Sequence, residues 1–229
     1  FWPLAAELLR SAEEAVQRTR AAARPSRITI GYIVNVIVTP AVRELRRRFP
    51  DADVRTLHLS WTDVRPALLD HRVDAVVSRL PFTTTNLDVT VLYDEPRVLV
   101  VPVDHRLAGR SEVTLADIAE EPLPRALDPE WNAFWRIDPR PDGRPAPDGP
   151  LVTSVEDKIE LVASGEAVAI LPGGIPISSL RPDLVAIPLT GVEPSQVVLA
   201  VRAGDRRRLV TAFAKAATDL LRKPGLSVI

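Results

Sequence analysis

Few residues in this chain are of a type and spacing that could do covalent chemistry. The three histidines, His58, His71 and His105, lie far apart and show no metal-ligand spacing. His58 falls in a strand pattern, His71 at a helix end where the macrodipole accounts for it, and His105 in a turn. There is no Cys, which excludes disulfides, a thiol nucleophile and thiolate metal sites. A Ser-His-Asp set can be assembled on paper from Ser154, His105 and Asp157, but no serine sits in a Gly-x-Ser-x-Gly turn. Ser154 reads as a helix cap and Asp157 as a first-turn acid. The carboxylate pairs Glu13-Glu14 and Glu120-Glu121 lie on expected solvent faces, and neither GxxxxGK[ST] nor GxGxxG occurs. The expectation is therefore no catalytic set, no metal and no cofactor. Arg46-Arg47-Arg48 and Arg206-Arg207-Arg208 read as solvated helix faces rather than nucleic-acid patches, since the net charge is −1.

Binding chemistry is more legible. Val34-Asn35-Val36, Ser60-Trp61-Thr62 and Arg79-Leu80-Pro81-Phe82 each follow an expected strand, and Thr153-Ser154-Val155 opens an expected helix. Hydroxyls and free amides at strand ends and helix starts suit a carboxylate or another small polar anion. Ser60, Thr62 and Ser154 also read as plain caps, and both roles can hold together. Gly173-Gly174 forms a strand-to-helix turn whose amides either face an anion or simply turn the chain. Trp61, Arg79 and Phe82 suit an aromatic or acidic molecule.

The elements that position these groups alternate. Residues 4–23 read as a helix with a heptad-like seam (Leu8, Ala12, Ala15, Thr19, Ala22), which packs on its own domain or serves as a linker or dimerisation helix. The sequence holds no Met, even at position 1, so the expectation is a piece of a longer chain. Strands are expected over Arg27–Ile33, Val54–Leu59 and Val73–Val77, with helices over Pro40–Phe49 (Thr39 as N-cap) and Asp63–Asp70 between them. This βαβαβ order predicts a parallel sheet. Strands at Val89–Leu92 and Arg97–Val103 lead into a second unit. There, helices are expected at Leu115–Ala119, Pro129–Trp135, Ser154–Ala163 and Ile175–Leu180. Strands are expected at Leu151–Val152, Ala167–Leu171 and Leu184–Ile187. The stretch 139–150, PRPDGRPAPDGP, has five Pro and two Gly and reads as a mobile loop without regular structure. A strand over Gln196–Val201 and a helix over Arg206–Leu221 close the pattern, before a frayed tail after Lys223. The expected division is 1–25 as linker helix, 26–101 with 196–229 as one lobe and 102–195 as the other, with a ligand cleft between lobes.

Composition bounds the rest. Hydrophobic residues are 46% and charged residues 26% of 229, ordinary for a globular chain. No apolar run reaches the roughly 18 residues of a membrane span, and no apolar h-region follows Phe1. A cytoplasmic location and no membrane partner are the expectation.

Several passages act together. They are Arg48-Phe49-Pro50 ahead of the strand at Val54–Leu59, then Leu68 to Val77 with Val73-Asp74-Ala75, then residues 98–108 (VLVVPVDHRLA). After them come 113–122 (VTLADIAEEP) and 162–172 (VASGEAVAILP). In order and spacing they resemble the effector-binding region of LysR-type transcriptional regulators, with His71 and Ala167 where that family usually has Gly and Arg106 where it has Pro. The resemblance implies two Rossmann-like α/β subdomains of the type 2 periplasmic-binding-protein kind. A linker helix would precede them, and a DNA-binding domain would lie outside this chain. It implies a homodimer or homotetramer and a small effector, an organic acid or an aromatic. The implied wall is Val34, Asn35, Ser60, Trp61, Thr62, Arg79, Pro81, Pro102, Thr153, Ser154 and Val155. Phe82 and Gly173 complete the candidate set. The weighed alternatives are a solute-binding protein of a transporter and an α/β enzyme.

Overall fold

The structure is a computed structural model that describes residues 26–222. The helix expected over 4–23 and the tail after Lys223 lie outside the described residues. The chain divides into two compact units, one made of residues up to Tyr93 with those from Gln196 onward, the other of Asp94–Ser195.

The first unit opens with strand β1 (Arg27–Tyr32), helix α1 (Thr39–Arg48), strand β2 (Asp53–His58), a 3-10 turn (Trp61–Asp63) and helix α2 (Val64–Leu69). Strands β3 (Ala75–Arg79) and β4 (Leu87–Glu95) follow. The second unit carries β5 (Arg97–Pro102), β6 (Leu123–Arg125), α3 (Pro129–Trp135), β7 (Asp148–Leu151), α4 (Val155–Ala163), β8 (Ala169–Pro172), α5 (Ile177–Leu180) and β9 (Leu184–Pro188). Strand β10 (Ser195–Arg202) and helix α6 (Arg208–Leu221) return to the first unit.

In the first unit the sheet order is β2-β1-β3-β10-β4. β1 pairs in parallel with β2 and β3, as the alternating pattern predicts, and β10 joins β3 antiparallel. β3 is buried along its whole length, which fits a central strand covered on both faces. Helices α1 and α6 present Ala41, Val42, Leu45, Leu209, Phe213 and Ala217 to Ile28 and Ile30 of β1. α1 starts at Thr39 rather than being capped by it. Val38 is buried and its carbonyl already accepts the Val42 amide at 3.0 Å, which pulls the helix start one residue earlier.

In the second unit β5 is central, antiparallel to both β8 and β9. All of β5 therefore belongs to this unit, and the division falls at Tyr93/Asp94 rather than at 101/102. The helix expected at Leu115–Ala119 is a run of turns. The Asp117 carboxylate does accept the Thr114 amide and hydroxyl, both at 2.8 Å, but the turns close through i to i+3 bonds before Pro122. The stretch 139–150 is more regular than its composition predicts, because Asp148–Leu151 pairs in parallel with β6. Gly149 permits this: a Cβ there would lie 2.8 Å from the Leu123 carbonyl.

An ionic cluster joins the two stretches of the first unit. Asp74 accepts the Thr29 amide at 2.8 Å and the guanidinium groups of Arg202 (3.1 Å) and Arg207 (2.7 Å). Asp205 binds the same two arginines at 3.1 and 2.7 Å. Burial works against ionisation of Asp205, but the hydrogen bonds from Arg207 outweigh it and hold the carboxyl below its usual range. A carboxyl with a depressed folded pKa contributes stability above its ordinary value near 4, lost as pH falls through the folded value. We expect the urea midpoint to fall as pH drops from about 5 to about 3. Asp205→Asn should flatten that fall and cost about 3 kcal/mol at pH 7, read by urea denaturation across pH.

Candidate functional site

Parallel pairing places three chain segments on one edge of the first unit. Tyr32 at the end of β1 is in register with His58 of β2 and Val77 of β3, so the segments leaving all three strands emerge together. These are the turn at Val34–Asn35, the stretch Ser60-Trp61-Thr62 and the stretch Arg79–Phe82. In open α/β sheets this carboxyl edge is where ligands bind.

Each segment is held by local chemistry. Asn35 adopts φ 55°, a left-handed conformation that Asn tolerates better than most residues. Arg79 is buried, and its guanidinium donates to the Val34 carbonyl at 2.8 Å and the Asn35 carbonyl at 3.5 Å. That charge therefore shapes the turn as well as lining it. Leu80 donates its amide to Gln196 at 3.0 Å, and the Leu80–Pro81 bond is cis. Phe82 is half-buried against the core. The Ser60 and Thr62 hydroxyls lie 3.2 Å apart, both exposed, with the half-buried Trp61 between them. Neither hydroxyl caps a helix: Ser60 makes no side-chain cap bond. The turn is fixed instead by a forked pair between Arg72 and Asp63, at 2.8 and 2.5 Å. This edge thus offers an exposed amide, two hydroxyls and two half-buried aromatic rings.

The remaining candidates lie in the second unit. Ser154 caps α4 by accepting the Asp157 amide at 3.0 Å, as its position predicts, while the exposed Thr153 donates to the Asp157 carboxylate at 3.3 Å. Gly173 is exposed, but its amide is already taken by the Pro96 carbonyl at 2.7 Å. A side chain at Gly174 would collide with the Glu95 carboxylate. Pro102 pairs with Leu184, whereas Arg97, at the start of the same strand, pairs with Pro172. Pro102 is therefore about 16 Å along β5 from the Gly173 end. It does not share an edge with Gly173 and does not lie at the passage between units.

Residues 22–222 match the LysR substrate binding domain family. The chain belongs to that family. It is 29% identical over 192 residues to the HTH-type transcriptional regulator MetR of Salmonella typhimurium, covering 80% of this chain and 58% of that protein. It is 33% identical over 196 residues to the small neutral protease regulatory protein of Streptomyces coelicolor, covering 77% and 57%. This LysR-family chain thus spans a little over half the length of these relatives, 58% and 57%. Its fold is similar to the effector binding domain of QuiR in complex with shikimate, with a TM-score of 0.71, 17% identity and 84% and 95% of the two chains covered. It is also similar to that of a BenM variant, with a TM-score of 0.69, 19% identity and 83% and 92% covered.

The fold is therefore the type 2 periplasmic-binding-protein kind that LysR effector-binding domains share, and the matched relatives are transcriptional regulators. The histidines behave as a LysR domain requires of structural residues. His71 takes φ 57°, the conformation that explains why Gly is usual at that position. His105 accepts the Leu107 amide at 3.3 Å and lies 3.5 Å from Glu121, inside the turn. His58 packs edge-on to Tyr32, with ring centroids 5.5 Å apart.

Sequence reasoning passed over the buried cations of the second unit. Arg97 donates to the Glu193 and Phe134 carbonyls at 2.6 and 2.8 Å and stacks on the Phe134 ring, and burial lowers its pKa to about 10. Lys158, on the inner face of α4, is 4% exposed, with its ammonium 4.0 Å from the centre of the Trp131 ring. Burial pushes its pKa down to about 7. The only sequence signal for it is the apolar register of α4, whose inward stripe includes position 158.

Between about pH 7 and the ordinary lysine value near 10.4, the unfolded chain carries more protons at Lys158 than the folded one does. Lys158 therefore makes stability rise with pH across that window and imposes its full cost below it. We expect Lys158→Met to raise the urea midpoint at pH 7 and to reduce the rise between pH 7 and 10. An unchanged rise in the variant would refute the assignment.

Proposed function

We propose that this chain is the sensing part of a LysR-type regulator and binds a small organic acid or aromatic molecule, catalysing no reaction. The carrying observation is the convergence of Asn35, Ser60-Trp61-Thr62 and Phe82 on the carboxyl edge of the parallel strands β1, β2 and β3. Trp61 and Phe82 supply ring faces for a planar body, and Ser60, Thr62 and Asn35 supply hydrogen bonds that fix its orientation. Val34, Arg79 and Pro81 form the backing of the same edge. No helix among the described residues is long and apolar enough to cross a membrane.

In the whole protein, we infer, a DNA-binding domain precedes this region, the molecule is a homodimer or homotetramer, and it works in the cytoplasm. Effector binding shifts the population of two arrangements by its differential affinity for them. Because Lys and Arg (29) balance Asp and Glu (30), specific binding to DNA belongs to the preceding domain.

Calorimetric titration with a panel of small aromatic and hydroxy acids is the test. One or more should bind, and Trp61→Ala or Thr62→Val should weaken the binder about tenfold, the loss of one hydrogen bond or one stacked ring. No heat from any member, or equal affinity in folded variants, would overturn the proposal. So would specific, salt-sensitive DNA binding by this chain alone.

A further inference from the structure

The least satisfied group among the described residues lies away from the sheet edge of the first unit. Arg140 is 7% exposed, and its Nε, Nη1 and Nη2 are all screened from solvent with no hydrogen-bond partner. A buried guanidinium without partners is costly, because it forfeits its hydration and recovers nothing. Its neighbour Arg136 is buried as well but answered: it donates to Asp138 (3.0 Å), Asp148 (2.6 Å) and the Ala146 carbonyl (3.0 Å). Burial depresses the Arg140 pKa; the charge of Asp138 opposes that fall, and the like charge of Arg136 adds to it. Nearby carboxylates are engaged elsewhere. Asp138 also accepts the Ala146 amide at 3.1 Å, and Asp142 is held by Arg144 at 2.7 Å. None of them bonds to the Arg140 guanidinium.

A cavity of about 440 Å³ has Arg140 among the residues of its wall. The rest of that wall is mainly apolar: Leu115, Ala116, Ala119, Pro141, Pro145 and Pro147. Glu120 and Asp142 are its acidic members. The short turn at 140–144 supplies Arg140, Pro141, Asp142 and Arg144 to this wall and is closed by Arg140 N to Arg144 O at 2.8 Å and Gly143 N to Arg140 O at 2.9 Å. Its exposed Asp142–Arg144 pair contributes little to holding it shut.

We propose that this cavity is a second ligand site, taking a small monocarboxylate whose apolar body lies against the prolines while its carboxylate pairs with Arg140. A carboxylate matches the guanidinium fork in charge and geometry, and the pair would form where water is sparse. Glu120 and Asp142 disfavour a second negative charge and so select single acids over diacids. The volume admits a ring-sized body. The site lies wholly within the second unit and does not depend on the effector edge of the first.

The probe is 4-bromobenzoate, used on the full 229-residue chain. Crystals soaked in it should show a bromine anomalous peak in this cavity, with the carboxylate about 3 Å from the Arg140 nitrogens. Calorimetry should show at least a tenfold loss of this binding in Arg140→Met, whose ligand-free urea midpoint should rise as an unpaired buried charge is removed. Ala119→Trp, which fills the cavity from another residue of its wall and leaves Arg140 intact, should show the same loss. No bromine in the cavity, or unchanged affinity in both variants, overturns the proposal. Bromine only beside Trp61 and Phe82 overturns it while supporting the effector edge.

Discussion

The first unit depends on Asp74. The unit is assembled from two stretches of chain, and Asp74 reaches Arg202 and Arg207 across 128 and 133 residues of sequence. Its second carboxylate oxygen holds the Thr29 amide of β1. One buried carboxylate thereby fixes β1, the entry to β3, the end of β10 and the approach to α6. Arg202 adds the Leu68 and Val73 carbonyls at 2.7 and 2.8 Å, tying the end of α2 to the same point. With β1, β2 and β3 held in register at this end, their opposite ends emerge level, and Asn35, Trp61 and Phe82 come to one edge. The candidate site is a consequence of where the strands are pinned.

The two units treat charge differently. In the first, the partly buried Arg202 and Arg207 are answered by Asp74 and Asp205, and the buried Arg79 by backbone carbonyls. In the second, Arg136 is answered by Asp138 and Asp148, but Arg97 is satisfied only by carbonyls and an aromatic face, Lys158 rests on Trp131, and Arg140 has no hydrogen-bond partner. Buried, unanswered charge is expensive to maintain, so the second unit has chemical capacity that its strand and helix pattern does not express.

The alternation of strand and helix was readable because periodicity and Pro-Gly punctuation are local. The parallel β1-β2-β3 arrangement, the inward face of α6 and the Ser154 cap all follow from it. What could not be read required contacts distant in sequence. The Thr114–Asp117 box looked like a helix start, yet only turns form before Pro122. The Pro-rich stretch looked structureless, yet β6 gives it a strand partner at Gly149. Arg79 reads from sequence as suited to an acidic ligand at a strand end, but two carbonyls from a turn more than 40 residues away engage it. Arg140 drew no reading of its own within the Pro-rich stretch, since burial of a lone side chain leaves no trace in sequence spacing.

The central claim is that the carboxyl edge of β1, β2 and β3 is where this LysR-family domain meets its effector. The most direct measurement is amide hydrogen exchange on the chain with and without a small acid that it binds. Exchange should slow at 33–38, 60–63 and 79–82, the three segments leaving those strands, with smaller change along β2 itself. Protection confined to other segments, with these three exchanging as before, would contradict the account.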